Sequence, residues 1–466
     1  MKRKIFALTV AVSLLAACSE KKTAESKILP YPIHQKELPN GLKVVTVEYD
    51  SPGIAAFYAV VRVGSRDEVE QGKSGFAHFF EHMMFRGTDK YPKDKYDVVL
   101  KSIGASANAN TWLDRTVYHM TGNATMLDEM FMLESDRFMN LKYSEGDFKA
   151  EAGAVKGEYT KNSSNPMEQL DELMNYSAFQ SHTYKHTTMG FFNDVVDMPN
   201  QYNYSLEFFK RFYRPEYTTL LVVGDVKHAD VEKLAEKYYG KWEKGNFVSS
   251  ITPESPQTKT QFCHVQNPGY PPVVQLNFKG PAYSNNDTGV FALDVLSYIL
   301  FSERSELYKK LVVKEQKVRN LSGGAFFTRD PYLFQVTATL KDAADMQYVK
   351  DEIMKAMEET KTQMVDSAYL AETKSNLKYS FAMSINSPDA VANNLSYFIW
   401  LSGNAESLNH AYAMYEIVSG DDLNKTATKY FNTTAMTVAT ISSAAASPFG
   451  GSQAMDKPAM MNVKRN

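Results

Sequence analysis

Cysteine is all but missing from this chain: two among 466 residues, Cys18 and Cys263, so no framework of disulfides can carry the fold. Stability must come from a hydrophobic core. A chain of this length can build one, because larger chains bury a greater share of their surface. An excess of charge of either sign is missing too. Fifty-one Lys and Arg stand against 54 Asp and Glu, a formal net charge of −3. The basic residues are dispersed, which leaves nucleic acid out of the expected partners. Histidine is scarce, nine in all, and two of them, His78 and His82, stand four residues apart with a glutamate between.

The chain opens Met1-Lys2-Arg3-Lys4 and runs on through apolar residues to Ala17. A basic front followed by a hydrophobic stretch too short to span a bilayer is an export signal rather than a membrane helix. The run closes Leu15-Ala16-Ala17-Cys18-Ser19, which resembles the bacterial lipoprotein box, where the cysteine becomes the mature N-terminus and carries lipid. That resemblance implies a signal peptide over 1–17, acyl chains on Cys18 and a polar tether over 18–34. Acyl chains anchor a protein by about 0.8 kcal/mol per buried methylene. Ser19, rather than Asp, resembles signals that permit sorting to the outer membrane, so the expected place is that membrane, facing the periplasm. A plain cleaved signal with an incidental cysteine is the alternative. With Cys18 lipidated, Cys263 is the one thiol left. It lies in the alternating run Gln261 to Val265 and is expected as a buried structural group.

Residues 78 to 82 read His78-Phe79-Phe80-Glu81-His82. On a helix of 3.6 residues per turn the two imidazoles share a face, and Glu81 projects from nearly the same stripe. Zinc takes neutral imidazole and a third protein ligand, and keeps a position for a water that a nearby glutamate can deprotonate. Two histidines beside a glutamate by chance is the bland alternative, and it is weak for so specific a spacing. Further on, Glu151 and Glu158 lie seven apart, two turns along one helix face. Read alone, such a pair is more often a solvated face than a ligand.

Motif order, spacing and flanks resemble the inverted-motif zinc peptidases of the M16 family, which includes pitrilysin, insulin-degrading enzyme and mitochondrial processing peptidase. Gly64-Ser65-Arg66-Asp67-Glu68 ahead of Gly75-Phe76-Ala77-His78 resembles the family's lead into its zinc helix, and Met83 to Thr88 its exit. The resemblance implies His78, His82 and Glu158 as ligands of one zinc ion per chain, with Glu81 as general base. It places Glu151 behind the ligands, where a carboxylate orients a histidine and raises its basicity. It also implies that Asn108, Ala109, Asn110 and Thr111 lie on an edge strand that takes the peptide substrate as an added strand. Backbone hydrogen bonds then hold the peptide, and side-chain pockets set its preference. Ordinary turn chemistry is the alternative for the two asparagines.

A weak internal repeat runs through the body of the chain. Phe212 to Val223 compares with Tyr430 to Ile441 at an offset of 218, each an aromatic pair, a turn and a β-branched strand. The offset sets His78, Glu81 and His82 against Leu296, Ile299 and Leu300. The second copy therefore keeps a helix within 290–301 and cannot bind metal. The family resemblance implies an α+β fold of two related halves, each a β-sheet covered by helices, facing each other as a clamp. Expected boundaries are 35–243 for the zinc-binding half, 244–272 for a linker and first strand, 273–445 for the other half and 446–466 for a flexible tail.

In the family, the second half supplies an arginine and, seven residues on, a tyrosine. Those positions here are Val312 and Arg319. Lys314, Lys317 and Arg319 offer charge, though such residues are usually a solvated face. The missing pair implies a homo- or heterodimer with a similar M16 subunit. His186 and His119 are expected in packing and on a strand, respectively. The expected activity is zinc-dependent endopeptidase cleavage of extended oligopeptides or unfolded segments. A non-catalytic assembly or chaperone-like subunit and a zinc-storing lipoprotein are the rivals.

Overall fold

The computed structural model describes residues 27–449, so Cys18, the export signal and the end of the expected tail lie outside the described residues. The first sheet holds β1 (His34–Glu37), β2 (Lys43–Glu48), β3 (Ile54–Val61), β4 (Ser106–Thr111), β5 (Thr116–Asn123) and β6 (Thr218–Gly224). Its spatial order is β1-β2-β6-β3-β5-β4. The second sheet holds β7 (Gln261–Gln266), β8 (Val273–Lys279), β9 (Val318–Ala325), β10 (Leu333–Leu340) and β11 (Met436–Ser442), in the order β7-β11-β8-β10-β9.

The repeat read from the sequence holds strand for strand. Lys43 and Gln261 open β2 and β7, and Thr218 and Met436 open β6 and β11, each pair 218 residues apart. β2 runs parallel to β6, as β7 does to β11. Among the described residues only β1 lacks a counterpart. β6, Thr-Thr-Leu-Leu-Val-Val-Gly, is buried at every position, as a strand covered on both faces must be. The helix of the second copy spans Gly289–Phe301, with Leu296, Ile299 and Leu300 all buried.

The halves exchange helices instead of merely facing one another. Helix Pro166–Ala178 from the first half lies on β7 and β11, and helix Pro388–Ser402 from the second lies on β3 and β6. Each begins with proline just behind a capping side chain, Asn165 or Ser387, where the missing N–H costs nothing. Val45, Tyr58 and Leu221 of the first sheet consequently join one core with Leu296 and Trp400 of the second half. Asp389 fixes the docking, accepting hydrogen bonds from Tyr58 Oη at 2.8 Å and Thr121 Oγ1 at 2.9 Å.

An ionic knot also ties the two halves together. Asp330 of the second half accepts from Arg66 Nε at 2.5 Å and lies 3.0 Å from His182 Nε2, while Asp114 accepts from the Arg329 backbone N–H at 2.8 Å. Burial alone would raise the Asp330 carboxyl, but the His182 and Arg66 contacts outweigh it and hold it well below the usual range. A depressed carboxyl stabilises the fold above its unfolded pKa, about 4, and loses that contribution as pH falls toward its folded value. Asp330→Asn should therefore lower the unfolding free energy by about 2 kcal/mol at neutral pH. Urea melts should show the gap to wild type narrowing once pH drops below about 4.

The expected tether ends earlier than 34. Leu29 is 1% exposed, its N–H bonds Asn409 Oδ1 at 3.2 Å, and Lys27 Nζ meets Glu406 at 2.8 Å. Ile28 and Leu29 supply apolar surface where the polar run stops, and burying it docks the segment. Cys263 sits on β7, partly exposed as a residue, and burial of its thiol pushes the pKa up to about 12, away from the reactive thiolate.

Candidate metal centre

The helix Phe76–Met83 is set by its apolar flank. Phe76, Ala77, Phe79, Phe80 and Met83 are buried, and Phe80 stacks on Phe208 with ring centroids 5.3 Å apart. Gly75 begins it at φ 93°, a left-handed conformation that favours glycine. Glu68 takes the place of a side-chain cap. Its two oxygens accept the Gly75 and Ala77 N–H groups, each at 2.7 Å, while burial pushes its carboxyl well above the usual range. With that flank buried, His78, Glu81 and His82 project toward the helix Glu145–Asn162. That second helix starts at a capping box formed by Ser144 and Asp147, and it buries Phe148, Glu151, Ala152, Val155 and Tyr159 at helical spacing.

The three groups expected as ligands converge. One ligand atom from each of His78, His82 and Glu158 lies within 4.8 Å of the others, the only such group among the described residues. Glu158 Oε2 is 3.3 Å from His82 Nε2 and 3.8 Å from His78 Nε2. Glu151 comes in from behind, its Oε1 3.0 Å from His82 Nδ1 and its Oε2 bonded to Arg86. A proton on Nδ1, directed at that carboxylate, leaves His82 Nε2 as the free donor. Burial holds the His78 imidazole below its usual pKa, in the neutral form that can ligate. Hydrogen bonding to Glu151 raises His82 instead. Burial would raise Glu151, but His82 and Arg86 outweigh it and keep it ionised. Two imidazole nitrogens and one carboxylate facing a common point, one imidazole oriented by an acid, fit a catalytic zinc site.

Glu81 is tied to the sheet. Its Oε2 accepts from Thr111 Oγ1 at 2.6 Å, so the side chain of Thr111, expected to serve the substrate, turns to the helix. β4 is the edge of its sheet, built of the small and polar residues Ser-Ala-Asn-Ala-Asn-Thr. It is joined to β5 by the four residues Trp112 to Arg115, closed by Trp112 N–H bonding Arg115 O at 2.9 Å. From that pair the antiparallel alternation turns the backbone groups of Asn110 and Asn108 toward β5 and those of Ala109 and Thr111 outward. Asn108 Oδ1 accepts the outward Ala109 N–H at 2.9 Å.

The remaining histidines stand aside. His186 is 4% exposed and bonds the Thr187 carbonyl at 3.0 Å. His119 lies on β5 against the Tyr58 ring. Val312 is in the π-helical turn Lys309–Lys314 and packs on the core, Arg319 is exposed on β9, and Lys317 pairs with Asp345. Sequence reasoning passed over Glu68, Arg86 and the hydroxyl role of Thr111. Only Arg86 carried a local signal, four residues beyond His82.

Two repeated α+β halves, one of them bearing a His-His-Glu donor set beside an open strand edge, define the class of inverted-motif metallopeptidase folds. The insulinase family (peptidase family M16) matches residues 43–190, and the M16 inactive domain matches residues 201–377. The chain belongs to the M16 family. It is 28% identical to the zinc protease PqqE of Helicobacter pylori over 411 residues, 86% of this chain and 90% of that one. It is 29% identical over 216 residues to the β subunit of the mitochondrial-processing peptidase of Caenorhabditis elegans, 46% of each chain. A solved protease structure from Helicobacter pylori matches with a TM-score of 0.82 at 25% identity, over 88% of this chain and 99% of that one. The periplasmic protease PqqL of Escherichia coli shares the fold, with a TM-score of 0.73 at 17% identity over 90% of this chain and 49% of that one. Among the described residues no helix is long and apolar enough to cross a membrane.

Proposed function

We propose that this protein is a zinc-dependent endopeptidase of extended oligopeptides or unfolded segments, exported and held by lipid on Cys18 to the outer membrane, facing the periplasm. The carrying observation is the convergence of His78, His82 and Glu158 beside Glu81, with Glu81 tied through Thr111 to the open edge of β4. Zinc held by those three residues supplies Lewis-acid polarisation of the scissile carbonyl and acidification of water. Glu151 keeps the Nδ1 proton of His82 engaged and its Nε2 directed at the metal. Ala109 and Thr111 offer their outward N–H and C=O groups to an extended peptide, which trades places with Asn108 on the Ala109 N–H. Glu81 Oε2 is occupied by Thr111, so Oε1 is the atom that takes a proton from water and later gives it to the leaving amine. A folded chain has no free strand to offer that edge, which limits substrates to unstructured segments.

The test is cleavage of a mixed unstructured peptide library by the soluble form lacking residues up to Cys18. We expect cleavage that a chelator abolishes and zinc restores. Zinc bound without cleavage of any peptide would favour a second reading, a subunit that is non-catalytic alone and needs a similar partner. That reading rests on Val312 and Arg319 at the positions of the family's arginine and tyrosine.

Thr111→Val should lower kcat roughly tenfold, the worth of one hydrogen bond to a charged group, with KM and zinc content held. Thr111→Ser should restore most of it. A rise in KM alone would return Thr111 to the role of a substrate contact.

A further inference from the structure

Among the described residues Arg115 carries a charge that no acid pairs directly. It ends the turn between β4 and β5, half-buried, and its bonds go to the Asn110 carbonyl at 3.1 Å and to Asn110 Oδ1. Both acceptors are neutral. Burial pulls the guanidinium down to about 10 against the weaker opposing pull of Tyr397, Glu81 and Asp114. A desolvated cation without an anion is costly, and native structures seldom keep one without a use.

The pleat says where it points. Thr111 and Tyr118 sit on the face toward the helix Phe76–Met83, since Thr111 bonds Glu81 and Tyr118 Oη bonds the Phe80 carbonyl at 3.1 Å. Asn110, Trp112, Arg115 and Val117 alternate with them onto the other face. There Trp112 meets Trp400 of the second half, with ring centroids 5.6 Å apart. A peptide added to β4 sends alternate side chains to both faces, one set toward the metal site and the other past exposed Asn110 toward Arg115.

We propose that Arg115 and Asn110 form a subsite for a carboxylate side chain of the bound peptide, on the sheet face turned away from the metal. This rests on the peptidase reading with β4 as the substrate edge, and it narrows the substrate class to extended peptides bearing Asp or Glu at one fixed position. The guanidinium fork matches a carboxylate in shape and charge. Asn110 gives its Oδ1 to Arg115 and leaves its NH2 as a further donor to the same anion.

The experiment uses the mature zinc-loaded protein and peptides identical except for one residue, set in turn to Glu, Gln or Lys along the sequence. At one position we expect kcat/KM for Glu to exceed that for Gln roughly tenfold. The preference should vanish in Arg115→Gln, turn toward Lys in Arg115→Glu and persist in Arg115→Lys. The wild-type comparison needs no variant to fold. Wild type that cleaves with chelator sensitivity yet shows no Glu preference anywhere, or Arg115→Gln that keeps it, would overturn the subsite and leave the peptidase standing. Competition binding of the same peptides to Glu81→Gln reads the preference without turnover. Selective Glu binding there, with no cleavage by wild type, would retain the subsite and sink the peptidase reading.

Discussion

Glu81→Gln should reduce peptide cleavage by roughly 10²- to 10⁴-fold, the span that a positioned general base contributes, while zinc and peptide remain bound. Gln matches Glu in shape, and its amide oxygen can still accept the Thr111 hydroxyl that holds Oε2 in place. Nothing in the His78-His82-Glu158 donor set is touched, and the outward groups of Ala109 and Thr111 that receive the peptide are backbone. What disappears is the capacity to take a proton. The loss should fall on kcat, with zinc content by metal analysis and peptide affinity by competition both at the wild-type level. Turnover unchanged from wild type would remove Glu81 from the chemistry.

The parts of this arrangement that follow from local repeats could be read in advance, and those that depend on the tertiary path could not. His78, Glu81 and His82 share a face because helical pitch is the same everywhere, so five residues sufficed. Glu151 and Glu158 could be placed on a common face by the same arithmetic, but spacing alone could not bring that face to His82, more than sixty residues away. That step came from the family resemblance, and the 3.3 Å between Glu158 and His82 now gives the contact itself. The duplication was legible because the stretch ending in β6 recurs in that ending in β11, and β2 and β7 repeat the same offset in the structure. The exchange of the helices beginning at Pro166 and Pro388 was not. Proline after a capping residue announces where a helix begins, and it says nothing about which sheet the helix will cover. Glu68 shows the limit most plainly. Its bonds to the Gly75 and Ala77 N–H groups run across a loop with no periodicity, so no pattern in the sequence could mark it as the cap of the metal helix.

Glu151→Gln should weaken zinc binding about 10- to 100-fold at neutral and higher pH, the usual cost of losing the acid behind a histidine ligand. Gln can still accept the His82 Nδ1 proton, so the ring keeps its orientation, but the charge that makes Nε2 a stronger donor is gone and Arg86 loses its anion. The pH dependence should move the other way. Glu151 raises the His82 pKa in the metal-free protein, so in the wild type a proton competes with the metal from a higher pH, and affinity declines as pH falls through that raised value. Without the carboxylate, His82 returns toward its ordinary pKa and proton competition sets in only at lower pH. Titrations against a chromophoric chelator across a pH series should therefore show a weaker variant whose affinity is less sensitive to mild acid, the two curves converging as pH drops. Parallel curves separated by a constant factor would mean that Glu151 strengthens the metal site without shifting the proton competition at His82. Curves that coincide would mean that the contact with His82 carries no weight in metal binding.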